Sequence, residues 1–188
     1  MHKNKILVYV LLAAGMVCAA AAPAGALVRV GAGASGSFVF PSAAFDHDAK
    51  STPGGSLRLY VNAFHWLTFD AGLDVHLPFS AESDTGRGET RLRCYKAGLI
   101  YKVHMGIFKP YLSLGYLMID QRIRRDDGWD DVSAPGFYVG PGLEYYFTER
   151  FSANGMMGYN RAFDGARRDE GRDTQYIRVD FGVNYTFW

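Results

Sequence analysis

The last twelve residues of the chain, 177–188, alternate between two kinds of side chain. One series is apolar and consists of Ile177, Val179, Phe181, Val183, Tyr185 and Phe187. The other consists of Arg178, Asp180, Gly182, Asn184, Thr186 and Trp188. Neighbouring side chains of an extended chain point to opposite faces, so a period of two predicts a β-strand with one apolar face. The chain therefore ends on a strand, and other strands have to pair with it.

Similar alternation recurs along the chain and predicts eight strands. The predicted segments are 28–40, 56–63, 67–79, 94–103, 108–118, 136–147, 151–159 and 177–188. Three connections, near His65, His104 and Glu149, are short, whereas 41–55, 80–93, 120–135 and 163–175 are long and polar. Short and long connections on alternate ends are typical of an antiparallel, up-and-down barrel with an even number of strands.

The N-terminus predicts export. His2, Lys3 and Lys5 precede an apolar stretch, 6–17, and small residues then offer A-x-A cleavage sites that end at Ala24 and Ala26. This is the pattern of a secretory signal peptide. We expect residues 1–26 to be removed and residues 27–188 to form one domain. Cleavage would leave Cys94 as the only thiol, which excludes an intramolecular disulfide.

Apolar residues are frequent in the chain but are distributed singly along the predicted strands. Hydrophobic residues make up 48% of the chain and aromatic residues 15%, yet no later segment is a long apolar run. The 20 Lys and Arg nearly balance the 19 Asp and Glu, which gives no reason to expect a nucleic-acid partner. Segments of this length cross a bilayer when tilted. We therefore predict an all-β, eight-stranded antiparallel transmembrane up-and-down β-barrel with short periplasmic turns and long outer loops. A soluble, lipocalin-like barrel with the two faces reversed is the alternative.

Two motifs resemble known small outer-membrane barrels of the OmpA-like and OmpW-like families. D-x-G-x-x-Y-x-F, 180–187, resembles their C-terminal insertion signal, and F-K-P-Y-L-S-L-G-Y, 108–116, resembles a strand common among them. The resemblance implies that Gly182, Tyr185, Phe187 and Trp188 form the insertion signal. It also implies a location in the outer membrane of a diderm bacterium, with outer-membrane lipids and the barrel-assembly machinery as partners. OmpA-like members are implied to stabilise the membrane, and OmpW-like members to carry small hydrophobic compounds through an apolar lumen.

If the apolar faces meet lipid, charged side chains share the interior of the barrel. The predicted lumen network consists of Arg29, Arg58, Asp70, Asp74, His76, Lys96, Lys102, Glu144, Arg178 and Asp180. Buried charges have to be paired or hydrated, and an eight-stranded barrel is narrow enough to be filled by side chains. Both features predict a structural role or a narrow small-solute conduit with a nearly filled lumen. The many inward glycines leave room either for large side chains or for a thin water path.

Other functions have weaker signals. Asp74 and His76 form an inward D-x-H pair, which we assign to the interior charges because no nucleophile or partner acid is recognisable by motif. The acidic stretch 126–131 lacks the spacing of a calcium loop. We expect no enzymatic activity, no cofactor and no metal. Surface binding through the outer loops, to a protein ligand or to lipid headgroups, is the second hypothesis. Its candidate residues are Arg124, Arg125, Trp129, Arg167, Arg168 and Arg172.

Overall fold

The computed structural model describes residues 28–41, 51–83, 86–125, 128–163 and 174–187. It contains eight strands: β1 (Arg29–Pro41), β2 (Thr52–Asn62), β3 (Leu67–Ser83), β4 (Gly86–Lys102), β5 (Phe108–Arg125), β6 (Gly128–Tyr146), β7 (Phe151–Ala162) and β8 (Thr174–Thr186). Each strand pairs with its neighbours in the sequence, and β8 returns to β1, so the sheet closes into a barrel. The predicted fold class is confirmed. The described residues include no helix that is long and apolar enough to cross a membrane.

The two faces of the sheet have opposite chemistry. Large apolar side chains point outwards and stay exposed, as in Leu57 at 65% and Phe181 at 68%. Polar and charged side chains alternate with them and are buried in the interior, as in Lys96 at 5% and Asp180 at 3%. A water-soluble barrel would hide its apolar face. The arrangement is therefore that of a barrel whose outer surface meets hydrocarbon and whose interior contains most of the buried polar side chains.

Short turns form one end of the barrel, together with the N-terminal end of β1 and the C-terminal end of β8. They span residues 63–66, 103–107 and 147–150. In the second turn, Met105 and Phe108 exchange backbone hydrogen bonds around Gly106, whose φ is +69°. Glycine adopts this conformation without a steric penalty, so the tight reversal depends on it. We call this the short-turn end and the opposite one the long-hairpin end.

The long-hairpin end differs from the sequence prediction. Residues 80–93 and 120–135 were expected to be loops, but β3 pairs with β4 as far as Ser83 and Gly86, and β5 pairs with β6 as far as Arg125 and Gly128. Backbone hydrogen bonds continue whatever the side chains face. In the sequence of these segments polar residues predominate in both alternating series, so the apolar alternation ended the predicted strands too early although the strands remain paired.

Candidate functional site in the barrel lumen

A cluster of four buried charges lies across the middle of the lumen. Asp74 of β3 forms ion pairs with two cations: Lys96 Nζ lies 2.7 Å from its Oδ2, and Arg178 Nη1 contacts the same oxygen. The other arm of Arg178, Nη2, lies 2.6 Å from Asp180 Oδ2. All four side chains are buried. The barrel therefore brings two acids and two bases from β3, β4 and β8 into one neutral group, the central cluster.

A second group surrounds Glu144 towards the short-turn end. Lys102 Nζ lies 2.8 Å from Glu144 Oε2, and the Tyr146 hydroxyl donates to the same oxygen at 3.0 Å. Oε1 accepts from Ser152 Oγ at 2.6 Å and from Asn184 Nδ2 at 2.8 Å. Four donors thus satisfy one buried carboxylate, which is the condition under which burying a charge is tolerated.

Arg58 lies between these two groups. Its Nη2 and Nε donate to Asn184 Oδ1 at 2.8 and 3.2 Å, so Asn184 links Arg58 to the Glu144 group. Arg58 and Asn154 line two interior cavities, one of about 30 Å³ next to the central cluster and one of about 10 Å³ next to Glu144. Each water needs roughly 10–15 Å³ of such space. The two cavities together therefore hold only a few water molecules.

Tyrosine rings cover the interior glycines. The Tyr60 ring lies against Gly31 and the Tyr111 ring against Gly142, so close that a Cβ atom at either glycine would collide with it. The Tyr138 hydroxyl lies against Gly98 and donates to Asp70 Oδ1 at 3.2 Å. Sequence alone left open whether the glycines make a water path or room for side chains. At these positions the room is occupied by tyrosine.

The interior towards the long-hairpin end contains an apolar group, which the alternation in the sequence did not predict. The buried cluster there consists of Val39, Leu92, Cys94, Leu117, Ile119, Ala134, Tyr138, Ala162 and Tyr176. Leu117 and Ile119 appeared only as exceptions to the alternation of β5, yet they are fully buried. The sequence did contain a signal for this group, namely apolar residues at positions on the otherwise polar face of β5. We call this group the apolar layer.

The remaining predicted interior residues are His76, Arg29 and Asp70. His76 is buried beside Gly54, and neither of its ring nitrogens has a hydrogen-bond partner among the described residues. Arg29 is half-buried at the short-turn end. Asp70 binds Tyr138 and belongs to neither ion-paired group. No group of three or more metal-ligating side chains occurs in the described part of the chain.

The predicted surface and insertion residues are only partly described. Arg124 and Arg125 lie in β5 and Trp129 in β6, where Arg124 pairs with Trp129 in the register of the hairpin. Outside the described residues lie Arg167, Arg168, Arg172, Trp188 and the signal peptide predicted at 1–26. Gly182 packs against Ser35 of β1, and the exposed Tyr185 ring contacts Phe187 with centroids 5.7 Å apart. Their role in insertion stays a prediction.

Aromatic side chains ring the short-turn end. Phe64 stacks on Trp66, which in turn lies near Tyr101, and a second series joins Phe108, Tyr145, Phe147 and Phe151. Aromatic girdles of this kind mark a membrane interface. Beyond the girdle, His65 and His104 of adjacent turns meet edge to face with their ring centroids 5.5 Å apart. Partial burial lowers the pKa of His104, and the positive charge of Lys109 lowers it further.

The structure is a closed eight-stranded barrel with an apolar outer face, buried ion pairs and an aromatic girdle. A family comparison agrees with this architecture. Residues 9–187 match the family described as outer membrane protein beta-barrel domain. The chain belongs to this family. Its resemblance to small eight-stranded outer-membrane barrels is thereby confirmed, and the family implies a location in the outer membrane. No curated protein matches the sequence.

Solved structures support the same fold. The N-terminal barrel domain of Pseudomonas aeruginosa OprF is 18% identical, with a TM-score of 0.58 over 85% of this chain and 97% of that chain. Ail of Yersinia pestis, in complex with the heparin analogue sucrose octasulfate, is 15% identical, with a TM-score of 0.56 over 85% and 97%. Outer membrane protein W of E. coli is 15% identical, with a TM-score of 0.52 over 87% and 100%. At these identities the likeness concerns the fold.

Proposed function

We propose that this protein is a non-enzymatic structural barrel of the outer membrane whose lumen is closed to solutes by its own side chains. The observation that carries the proposal is the central cluster, in which Lys96 and Arg178 reach Asp74 from two other strands. An ion pair across a narrow interior occupies the axis along which a solute would have to move. Separating the charges would leave each of them buried without a partner, which is strongly unfavourable.

Two further features support closure. The two cavities beside the central cluster and Glu144 have room for only a few waters. Towards the long-hairpin end, the apolar layer adds side chains such as Leu117 and Ile119, which cannot replace the hydration shell of an ion. Any conduit would therefore be limited to water-sized species. An apolar, solute-carrying lumen of the kind implied for OmpW-like barrels does not fit the charges in the other part of the interior.

Planar-bilayer recording tests the proposal. We expect the wild-type barrel to give no unitary conductance. The Arg58→Ala variant joins the two cavities but keeps the central cluster and the apolar layer, so we expect it to remain closed as well. Heat-modifiable migration on a cold detergent gel verifies that both proteins are folded. Unitary currents in the wild type would refute closure. Currents in Arg58→Ala alone would show that Arg58, and not the central cluster, forms the barrier.

Surface binding is the second candidate. The β3–β4 and β5–β6 hairpins continue as paired strands beyond the apolar outer surface, and they carry exposed charges such as Arg122 and Asp131. Rigid hairpins can present a binding surface at a low entropic cost. The similarly folded Ail was solved with a sulfated ligand. Replacing residues 80–91 and 122–131 with tight turns should abolish attachment of cells to a surface coated with sulfated glycan. Unchanged attachment with normal insertion would rule this function out.

A further inference from the structure

Two histidines meet at the short-turn end of the barrel, on neighbouring turns. His65 lies in the turn 63–66 and His104 in the turn 103–107, and both side chains are exposed. Their ring centroids are 5.5 Å apart and the angle between the ring planes is 80°. The two residues belong to different turns and form no spacing motif, so the sequence analysis expected no metal site. The closed barrel places their imidazoles side by side.

The separation of the two rings suits a single metal ion. Imidazole nitrogens bind transition metals at about 2.0–2.1 Å, so two imidazoles on one ion at a tetrahedral or wider angle have centroids roughly 5–6 Å apart. The observed 5.5 Å lies in this range. From the edge-to-face arrangement, one ring has to turn about χ2 before both present a nitrogen to the same ion, and this torsion of histidine has a broad energy profile. Because both side chains are exposed, the turn displaces no packed group.

Backbone hydrogen bonds hold the two turns in a fixed relation. Each turn is closed by bonds of its own, as between Leu67 N and Phe64 O at 3.3 Å. The two turns are then joined directly, because Lys102 N donates to Trp66 O at 2.8 Å. The rings of Trp66 and Tyr101 also contact each other, with centroids 5.8 Å apart. The scaffold therefore sets the distance between the two histidines before an ion binds, which lowers the entropic cost of binding.

The lysines near the pair have partners of their own. Lys102 and Lys109 both act electrostatically on His104. Lys102 Nζ pairs with the buried Glu144 at 2.8 Å, and Lys109 Nζ lies over the Tyr146 ring, 3.8 Å from its centroid. Their repulsion of a cation at the exposed histidines is screened by water and salt.

We propose that His65 and His104 bind one divalent transition-metal ion of the class of Zn²⁺, Ni²⁺ and Cu²⁺. Imidazole suits these ions, whereas Mg²⁺ and Ca²⁺ prefer oxygen ligands. Water completes the coordination shell, because no group of three or more metal-ligating side chains occurs in the described part of the chain. The ion joins the turn of the β2–β3 hairpin to that of the β4–β5 hairpin. This site goes beyond the proposed function and does not depend on the state of the lumen.

Metal titration of the folded barrel tests the site. The whole barrel is purified without a histidine tag and folded in detergent micelles, and Cu²⁺ binding is followed by isothermal titration calorimetry and by electron paramagnetic resonance. The proteins compared are the wild type, His65→Ala, His104→Ala and His47→Ala. His47 stands between two aspartates in the sequence and lies outside the described residues, so its variant controls for a site formed by another histidine. Mg²⁺ is the control ion.

We expect His47→Ala to keep the wild-type affinity for Cu²⁺, with two nitrogen ligands resolved in the spectra of both proteins. His65→Ala and His104→Ala should each bind roughly 100-fold more weakly or less, because the second ligand no longer acts within the same molecule. Heat-modifiable migration on a cold detergent gel verifies that every variant is folded.

Three outcomes would overturn the proposal. The first is the absence of Cu²⁺ binding by the wild type, or equal binding by all four proteins. The second is loss of binding in His47→Ala alone, since the ion would then be held elsewhere. The third is an equal response to Mg²⁺, since the ligands would then not be imidazoles.

Discussion

The two ends of the lumen are filled in different ways. From the centre to the short-turn end, the interior side chains are charged and are joined pairwise around Asp74 and Glu144. Towards the long-hairpin end the same inward face is occupied by Leu92, Leu117, Ile119 and other apolar groups. An ion-paired interior depends on particular partners, because an unpaired charge is costly. An apolar interior depends on volume and tolerates substitutions that conserve it.

The largest expected effect comes from breaking the central cluster. Asp74→Asn leaves Lys96 and Arg178 with Asp180 as the only acid of that cluster. We expect a loss of roughly 3–5 kcal/mol in the free energy of unfolding, the usual result of removing one partner from a buried ion pair. Urea unfolding in lipid vesicles, followed by tryptophan fluorescence, measures it.

The control variant removes a carboxylate at the surface instead of in the lumen. Asp131→Asn takes a carboxylate from an exposed pair with Arg122, so we expect a change within about 1 kcal/mol. The double variant Asp74→Leu/Lys96→Met leaves Arg178 paired with Asp180 and should regain much of the loss. A comparable effect of Asp74→Asn and Asp131→Asn would show that pairing in the lumen contributes little.

The apolar layer should respond to volume and not to chemistry. Leu117 is fully buried, so Leu117→Ala should cost about 2–5 kcal/mol through the cavity it creates. Leu117→Met nearly conserves the volume and should cost less than about 1.5 kcal/mol. The same urea titration compares the two variants. If methionine were as damaging as alanine, the layer would require a specific shape and the contrast between the two ends would weaken.

Gly142 provides a sharper test of side-chain packing in the polar part of the barrel interior. A methyl group at this position would meet only the ring of Tyr111 among its nearest contacts, so we expect Gly142→Ala to cost about 1–3 kcal/mol by overpacking. In a Tyr111→Ala background the methyl group has room, and the cost should fall. A double-mutant cycle measures this coupling. Additive effects would mean that the ring does not press on the glycine.

The smallest expected effect lies outside both regions, at the short-turn end. The pKa of His104 is lowered first by partial burial and then by the charge of Lys109. The imidazole should therefore titrate below its ordinary value of about 6.5. Lys109→Met should move the pKa of His104 upwards, because a positive charge that opposes protonation is removed. NMR titration of the ring protons measures the shift, with Arg122→Gln at the opposite end as a control that should leave it unchanged.

Sequence reasoning succeeded where the two faces differ strongly and failed where they do not. β8 was predicted from alternation and was found at Thr174–Thr186. β4 was predicted to start at 94 but starts at Gly86, because its outer part has polar residues on both faces. Leu117 and Ile119 were treated as irregularities, although they form part of the apolar layer. A periodic pattern reveals which face a residue occupies but not which neighbours it meets across the lumen.

The sequence by itself determined that apolar and polar side chains occupy opposite faces of a β-sheet, because a period of two leaves no other regular structure. It also predicted that charged side chains would share the interior. Only the tertiary structure decided the partners. Arg178 and Asp74 are 104 residues apart in the chain and meet because β8 closes on β1. The closure fixes the register of every strand, and the register decides which acid faces which base.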